Sequence, residues 1–184
     1  MASDSILTKR TFSELGVPPH LVAAVEEKGW RYATIIQKNS IPHSITGRDV
    51  VGQARTGSGK TGAFGLPILA RIIEGAGTQA LILTPTRELA LQVTSDLESM
   101  SSKSKISIAT IYGGAGIQPQ IDSLRSGVEV IVGTPGRTLD LANQGELNLE
   151  ELTIAVLDEA DRMLDMGFFP DVNKILNSIG KDRQ

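Results

Sequence analysis

The sequence of 184 residues has no cysteine, few aromatic residues and no long apolar run. Without cysteine the chain can form no disulfide bond and no thiolate metal site, which fits a reducing environment. No apolar run approaches the roughly 20 residues that a helix needs to cross a bilayer, so the sequence predicts no membrane span. Residues 1–5 lack a basic segment followed by an apolar stretch, and we expect no secretory signal. The sequence thus predicts a soluble, intracellular protein and assigns it to no particular compartment.

An excess of basic residues is also missing, because 18 Lys and Arg residues stand against 21 Asp and Glu residues, for a net charge of −3. A chain with this balance does not hold nucleic acid by bulk electrostatics, so any such binding must be local. The two histidines, His20 and His43, have no partner at a spacing typical of a site, and we interpret them as ordinary surface or helix-end residues. The length suits one domain, which we place at residues 11–184 after a mobile N-terminus at residues 1–10.

The sequence does contain a glycine-rich segment at residues 54–61, Ala-Arg-Thr-Gly-Ser-Gly-Lys-Thr, shortly after the apolar run 49–51. The general phosphate-loop pattern is G-x-x-x-x-G-K-[ST], and the segment fills its last three positions. Ala54 stands at the first position in place of glycine. The apolar run predicts a strand that leads into the loop.

Each residue type of this pattern has a physical reason. Gly57 and Gly59 permit a backbone approach that a side chain would block, so successive N–H groups can point at phosphate oxygens. Lys60 would reach the β and γ phosphates as a point charge, and Thr61 would give its hydroxyl to Mg²⁺. The helix that begins near Thr61 would direct its positive end at the same anion. The alternative, a flexible surface loop that happens to contain glycines, does not explain why Lys60 and Thr61 follow at the required spacing.

The rest of the chain alternates helical periodicity with short apolar runs. Helices are predicted over residues 18–29, 34–47, 61–74, 87–101, 117–125, 135–144, 160–164 and 170–179, and strands over residues 79–84, 106–112, 128–132 and 153–157. We expect Pro67 to bend its helix. The run 79–84 is dominated by Leu81, Ile82 and Leu83, and such continuous hydrophobicity is typical of a strand covered on both faces in a parallel sheet. The alternation predicts an α/β fold with a mainly parallel β-sheet, helices on both faces, and ligands beyond the carboxyl ends of the strands.

An acidic cluster follows the last predicted strand. A nucleotide hydrolase needs a carboxylate for its metal ion and a group that orients the attacking water. We interpret Asp158, at the end of the strand, as a ligand of Mg²⁺, directly or through water, and Glu159 as the general base. The alternative is a helix N-terminal turn stabilised by the helix dipole. The phosphate loop upstream favours the site, because two independent signals rarely coincide by chance.

Several segments, taken in order, resemble the motifs of the DEAD-box RNA helicases of superfamily 2, in their N-terminal RecA-like lobe. The matching segments are residues 54–61 (motif I, with its alanine), 85–90 (Pro-Thr-Arg-Glu-Leu-Ala, motif Ia), 113–114 (the glycine doublet), 134–137 (Thr-Pro-Gly-Arg, motif Ib) and 158–161 (Asp-Glu-Ala-Asp, motif II). Residues 29–37 resemble the adenine-recognising Q motif, and Phe12 lies 17 residues before the first residue of this segment, Gly29. The resemblance covers residues 12–184.

The resemblance implies a RecA-like P-loop domain that binds ATP in preference to GTP, with Gln37 on the adenine edge and Phe12 on its face. The implied contacts to the phosphates are Arg55, Thr56, Gly57, Ser58, Gly59, Lys60 and Thr61. The implied catalytic residues are Lys60, Asp158 and Glu159, and Asp161 is implied to join the nucleotide to a second lobe. The implied contacts to RNA, along its phosphates and sugars, are Pro85, Thr86, Arg87, Gly113, Gly114, Thr134, Pro135, Gly136 and Arg137.

Taken alone, these side chains have simpler interpretations. Gln37 would be a polar residue on a helix and Asp161 a solvated acid at a helix start. Arg87 and Arg137 would be surface salt-bridge partners. Their places within the motifs favour the functional interpretation in each case.

The sequence also departs from the family pattern. Ala33 and Ile35 stand where the family often has prolines, so we expect a looser turn before Gln37. Motif III, Ser-Ala-Thr, does not occur, and neither does the second RecA-like lobe with the arginines that complete the ATP site. An arginine finger is worth roughly 10³–10⁵ in rate, so we expect this chain alone to bind ATP far better than it hydrolyses ATP. The motif III strand would lie between the strands that bear motifs I and II, so we expect marginal stability, rearrangement or partnership with another segment.

Three functional hypotheses result. The first is the ATP-binding lobe of an ATP-dependent RNA helicase, whose partners are single-stranded or duplex RNA and a second lobe. The second is a noncatalytic, ATP-gated RNA-binding module or a truncated regulator. The third, an unrelated phosphate-loop kinase or transporter ATPase, does not account for Gln37, the glycine doublet and the Thr-Pro-Gly-Arg run together.

Overall fold

The computed structural model describes residues 6–184, and its internal contacts divide them into two compact units. Of the described residues, unit 1 comprises residues 6–71 together with residues 96–105. Unit 2 comprises residues 72–95 and 106–184. Within residues 6–184, no helix combines the length and the apolar character that spanning a bilayer would require.

Unit 1 is built from helices whose starts follow from local sequence. Its elements are a short 3-10 helix at Ser13–Leu15, α1 at Pro19–Glu27, α2 at Ile35–Ser44 and α3 at Lys60–Arg71. Proline at the first position of α1 is already set to a helical φ. The helix α3 continues through Pro67, the position where a bend was expected. The unit's core contains Leu21, Ile41 and Leu66, which are fully buried.

The N-terminal residues that the structure describes are paired with unit 1. A backbone bridge joins Leu7 to Thr34, and the N–H groups of Thr8 and Ala33 donate across the same pairing. The predicted mobile N-terminus at residues 1–10 therefore has an attached portion, residues 6–10, while residues 1–5 lie outside the described part of the chain.

The prediction of a strand at residues 49–51 is wrong, because this run forms no strand in the described structure. The side chain of Val51 is fully exposed and that of Val50 is 41% exposed. A strand is stable only when a neighbour satisfies its backbone hydrogen bonds, and these residues have no ladder partner among residues 6–184. The apolar composition of residues 49–51 predicted a strand, but no strand pairs with this run in the described structure.

Unit 2 is a parallel four-stranded sheet with helices between its strands. The strands are β1 at Ala80–Leu83, β2 at Ile108–Ile111, β3 at Val130–Gly133 and β4 at Ile154–Leu157, in the order β2-β3-β1-β4. The helices are α4 at Arg87–Met100, α5 at Gln118–Arg125, α6 at Pro135–Asn143, α7 at Ala160–Asp165 and α8 at Phe169–Ser178. The last residues of α4, from Asp96 onward, belong to unit 1. Ala80 of β1 is in register with Val130 of β3 and Ile154 of β4.

Helices cover both faces of this sheet, as the alternation of helices and strands predicted. On one face, Leu81 and Ile131 belong to a buried cluster with side chains of the four later helices: Ile121 of α5, Leu141 of α6, Met163 of α7 and Ile175 of α8. On the other face, the hydroxyl of Thr94 in α4 lies 2.7 Å from the hydroxyl of Thr110 in β2. The four strands are parallel, so the segments that follow them leave from the same edge of the sheet.

Candidate nucleotide and RNA sites

The phosphate loop leads into the N-terminus of α3, with Lys60 as the first helical residue. Its glycines have left-handed backbone conformations, with φ of 77° at Gly57 and 91° at Gly59. A buried hydroxyl oxygen, Oγ of Ser58, has no hydrogen-bond partner among the described residues. The N–H groups of a helix's first turn lack partners within the helix, and with the positive end of the helix and the unsatisfied hydroxyl they form a place that an anion can occupy.

Gln37 connects α2 to the phosphate loop. Its side chain is only 2% exposed, its Oε1 accepts from the backbone N–H of Thr34 at 2.9 Å, and its Nε2 donates to the carbonyl of Gly59 at 3.0 Å. The first of these bonds belongs to a capping box, in which the hydroxyl of Thr34 accepts from the N–H of Gln37. The start of α2 therefore holds the glutamine amide beside the loop.

The ring of Phe12 is buried and packs against Trp30, with 6.4 Å between the ring centroids. Trp30 also lies beside α3, since a Cβ built on Gly62 would be 3.0 Å from its ring. Lys28 places its ammonium 5.1 Å from the same ring centroid. The sequence motifs did not assign a role to Trp30, although its place within residues 29–37 was a signal. The role of Phe12 on the adenine face stays a prediction, and in this structure its ring is covered.

The acidic cluster follows β4 in unit 2. Asp158 is buried, and its backbone N–H donates to the carbonyl of Leu83 in β1 at 2.9 Å, so the sheet fixes its backbone. Glu159 has φ of 53° and ψ of 50°, and it is the one non-glycine residue among residues 6–184 with a positive φ. Its carboxylate accepts from Arg162 at 3.2 Å. Asp161 is exposed, and its Oδ1 accepts from the backbone N–H of Arg162 at 2.9 Å.

The predicted RNA residues follow three neighbouring strands of unit 2. Pro85, Thr86 and Arg87 follow β1, Gly113 and Gly114 follow β2, and residues 134–137 follow β3. The guanidinium of Arg87 stacks on the ring of Tyr112, with its central carbon 4.7 Å from the ring centroid. Because the strands are parallel, the structure brings this set of predicted residues to one edge of the sheet.

Arg137 lies against the segment that we call the glycine loop, residues 113–116. Its side chain is 12% exposed, and its Nη2 donates to the carbonyl of Ala115 at 3.2 Å. Its other terminal nitrogen, Nη1, is buried and has no hydrogen-bond partner in the described structure. Arg137 is therefore more than a surface salt-bridge residue, although Asp140 lies 3.8 Å from its Nε.

A cleft of about 340 Å³ opens beside Arg137. It is lined by Gly113, Thr134, Gly136, Arg137, Asp140 and Phe168. Four of these residues belong to the predicted RNA set. Phe168 and Asp140 were not predicted, and no pattern in the sequence placed them beside that set.

The profile of the DEAD/DEAH box helicase family matches residues 34–184. This chain belongs to that family. The family resemblance and the α/β, RecA-like fold predicted from the sequence are thereby confirmed. Gln37, the phosphate loop and all the predicted RNA residues lie inside the matched range, whereas Phe12 lies before it.

The chain is similar to curated DEAD-box proteins from bacteria and archaea. It is 45% identical over 175 residues to the DEAD-box ATP-dependent RNA helicase CshA of Geobacillus kaustophilus, covering 95% of this chain and 38% of that protein. It is 47% identical over 174 residues to a probable ATP-dependent RNA helicase of Methanocaldococcus jannaschii, covering 94% of this chain and 47% of that protein. The chain thus spans less than half the length of these relatives.

Solved structures of the family support the same fold. A DEAD box protein from the hyperthermophile Methanococcus jannaschii is 46% identical and superposes with a TM-score of 0.91, covering 95% of this chain and 48% of the other. A hypothetical ATP-dependent RNA helicase from Sulfolobus tokodaii is 38% identical with a TM-score of 0.81, covering 89% of this chain and 47% of the other.

Proposed function

We propose that this chain is the ATP-binding and RNA-binding lobe of an ATP-dependent RNA helicase, which separates short RNA duplexes together with a second RecA-like lobe. Membership of the DEAD/DEAH box family supports the class of activity. The observation that carries the proposal is the bond from the Gln37 amide to the carbonyl of Gly59. This bond joins the segment that resembles an adenine-recognising motif to the loop that resembles a phosphate cradle.

The remaining hydrogen-bonding capacity of Gln37 favours adenine. One Nε2 hydrogen and one Oε1 lone pair stay free after the bonds to Gly59 and Thr34 are counted. Adenine presents a donor at N6 beside an acceptor at N7, which complements one acceptor and one donor. Guanine presents two acceptors at the same edge, O6 and N7, so one of them would face the glutamine oxygen. We therefore infer a preference for ATP over GTP.

The loop in unit 1 and the strand end in unit 2 each carry groups of the kind that bind a magnesium nucleotide. The loop amides, Ser58 and the ammonium of Lys60 would bind phosphate oxygens, and Arg55, Thr56, Gly57 and Gly59 complete the loop. The hydroxyl of Thr61 and the carboxylate of Asp158 are oxygen ligands of the kind that Mg²⁺ takes, directly or through water. When bound, Mg²⁺ would neutralise charge that develops on the phosphates.

The proposed hydrolytic step uses the carboxylate of Glu159 to orient the attacking water and to accept its proton. Arg162 donates a hydrogen bond to one oxygen of that carboxylate, and the second oxygen can accept from a water molecule. Asp161 would join the nucleotide site to the second lobe. The arginines of that second lobe would stabilise the transition state, so the chain by itself should hydrolyse ATP slowly.

RNA would bind along the edge of unit 2 formed by Pro85, Thr86, Arg87, Gly113, Gly114, Thr134, Pro135, Gly136 and Arg137. Arginine side chains and exposed backbone N–H groups bind phosphates without reading the base sequence. Local binding of this kind is compatible with a net charge of −3.

Nucleotide binding tests this proposal most directly. We expect the chain to bind a fluorescent ATP analogue, and we expect ATP to compete for it better than GTP. Lys60→Ala should weaken the binding of both nucleotides, because it removes a phosphate contact. Gln37→Ala should reduce the preference for ATP.

Lys38→Ala serves as the matched control for Lys60→Ala, because it removes the same charge from an exposed position next to Gln37, and it should bind both nucleotides as the parent does. Equal affinities for ATP and GTP in the parent chain would contradict the adenine assignment.

Adding a separate second lobe distinguishes the enzyme from the noncatalytic alternative. We expect RNA-stimulated ATP hydrolysis to rise by orders of magnitude when the two lobes are mixed, since an arginine finger is worth roughly 10³–10⁵ in rate. If the mixture binds ATP and RNA but hydrolyses no more ATP than the chain alone, the noncatalytic RNA-binding module becomes the better assignment.

A further inference from the structure

The glycine loop, residues 113–116, presents bare backbone that packing within the chain does not explain. Gly113 and Gly114 are exposed, and a Cβ built on either would meet nothing within 4 Å among the described residues. Gly113 also has an ordinary negative φ, since it is absent from the residues with positive φ. A glycine that neither φ nor packing requires suits a place where another molecule approaches the backbone closely.

A buried glutamine, Gln120, holds the start and the end of this loop. Its Oε1 accepts from the backbone N–H of Tyr112 at 3.0 Å, and its Nε2 donates to the carbonyl of Tyr112 at 3.2 Å and to that of Gly116 at 3.1 Å. Gln120 is 8% exposed, so these three bonds lie largely out of water. Gln120 sits in the first turn of α5, which fixes it independently of the loop.

Two arginines of the predicted RNA set depend on the backbone that Gln120 holds. Arg87 stacks on the ring of Tyr112, whose N–H and carbonyl both bond to Gln120. Arg137 donates to Ala115, which lies inside the loop that Gln120 closes. Residues from the segments after β1, β2 and β3 are thus linked through one side chain that belongs to none of the motifs.

We propose that Gln120 is a positioning residue for RNA binding. Its amide fixes residues 112–116, so that the exposed backbone of the glycine loop, Arg87 and Arg137 meet the RNA backbone in one arrangement. Preorganised contacts bind more tightly, because no ordering cost remains at the moment of binding. The inference rests on the proposed function of this edge as an RNA site.

The test compares Gln120→Leu with Gln118→Leu in the whole chain. Gln118 lies on the same helix but is exposed, and its side chain bonds to Asp122. Three measurements are made: amide hydrogen exchange of residues 112–116, affinity for a labelled single-stranded RNA, and affinity for an ATP analogue. In Gln120→Leu we expect exchange to be about tenfold faster and RNA affinity about tenfold weaker, with nucleotide affinity unchanged. Gln118→Leu should match the parent in all three.

The outcomes separate this inference from the proposed function. If the parent binds RNA and Gln120→Leu binds it equally well, or keeps the parent's exchange rates at residues 112–116, the positioning role is wrong while the RNA site stands. If Gln120→Leu loses RNA and nucleotide affinity together, the effect is general unfolding and the role is also wrong. If the parent binds no RNA, the proposed function fails and the inference fails with it.

A second pair of variants tests the link to Arg87. Tyr112→Leu removes the ring beneath the guanidinium and should weaken RNA binding by about threefold, the size expected for an exposed cation–π contact. Tyr112→Phe keeps the ring and the backbone bonds, so it should bind RNA as the parent does. Equal binding by the Leu and Phe variants would contradict the link.

Discussion

Two glycines of the phosphate loop share a left-handed backbone but differ in what surrounds them. A Cβ on Gly59 would lie 2.7 Å from Nε2 of Gln37 and 3.0 Å from the hydroxyl of Thr34, whereas a Cβ on Gly57 would meet nothing within 4 Å. Gln37 cannot move aside freely, because it is buried and bonded at both ends of its amide. Only at Gly59 is the absence of a side chain required by both conformation and contact.

The pair therefore separates backbone strain from steric contact. Both Gly57→Ala and Gly59→Ala should lower the free energy of unfolding by about 1–2 kcal/mol, since both place alanine at a positive φ. Gly59→Ala should lose more, and it should also weaken ATP binding by displacing Gln37. Urea unfolding and nucleotide titration of the two variants measure these effects. Equal losses of stability and of ATP affinity would show that the Gln37 contact has no consequence.

The start of α2 contains both a helix cap and the proposed adenine contact, Gln37. Thr34 caps the helix and, through the capping box, orients the amide of Gln37. The prolines that the family often has beside this threonine are replaced by Ala33 and Ile35, yet the cap forms. Ala33 is buried and its backbone pairs with Thr8 and Arg10, so the N-terminal segment takes part in shaping this turn.

Replacing the cap should affect stability and binding together. Thr34→Ala should lower the free energy of unfolding by about 1 kcal/mol, because a helix N-cap contributes roughly 0.5–2 kcal/mol. It should also weaken ATP affinity, since the variant lacks the Thr34 hydroxyl that accepts from the N–H of Gln37 and fixes the first turn. Thr34→Ser keeps the hydroxyl and should behave nearly as the parent does in urea unfolding and nucleotide titration. A Thr34→Ala variant with full stability would mean that segment 6–10 alone holds the turn.

The elements that the sequence predicted well are those whose pattern carries its own reason. Apolar runs predicted all four strands, with ends shifted by at most two residues, and the continuously apolar β1 is buried throughout, as expected of a parallel strand covered on both faces. The run 49–51 failed, because pairing depends on a partner that composition cannot supply. The sequence did not predict the proposed roles of Tyr112 and Gln120 for a related reason. Their roles arise from bonds between a loop and the next helix, and neither has a periodic or spaced signature.

At the scale of the whole chain, the sheet explains how residues far apart in sequence meet. Parallel strands place the segments after β1, β2 and β3 at one edge, and this follows from strand alternation alone. The same sheet has β4 at its border. Gln184 pairs there, since its N–H donates to Thr153 and its carbonyl accepts from Ala155, both at 2.9 Å. An added strand would therefore find a starting point beside β4.

A chain extended beyond Gln184 through the motif III segment of a family member should melt at a higher temperature. Each large apolar side chain that becomes buried contributes about 1.5–3 kcal/mol before ordering costs, against about 5–15 kcal/mol for a domain. We expect a rise of several degrees in Tm, measured by calorimetry. An extension of equal length with its apolar residues changed to serine is the control. Equal midpoints for the two extended chains would contradict the prediction.

The left-handed conformation of Glu159, the proposed general base, predicts a conflict between stability and catalysis. A side chain in that region costs about 1–2 kcal/mol, which glycine would not incur. Selection for heat resistance alone should thus enrich Glu159→Gly, and the survivors should hydrolyse no ATP even when a second lobe is supplied. Selection of random variants for resistance to heating, followed by an assay of ATP hydrolysis by the selected variants, tests whether Glu159 is retained for activity at a cost in stability.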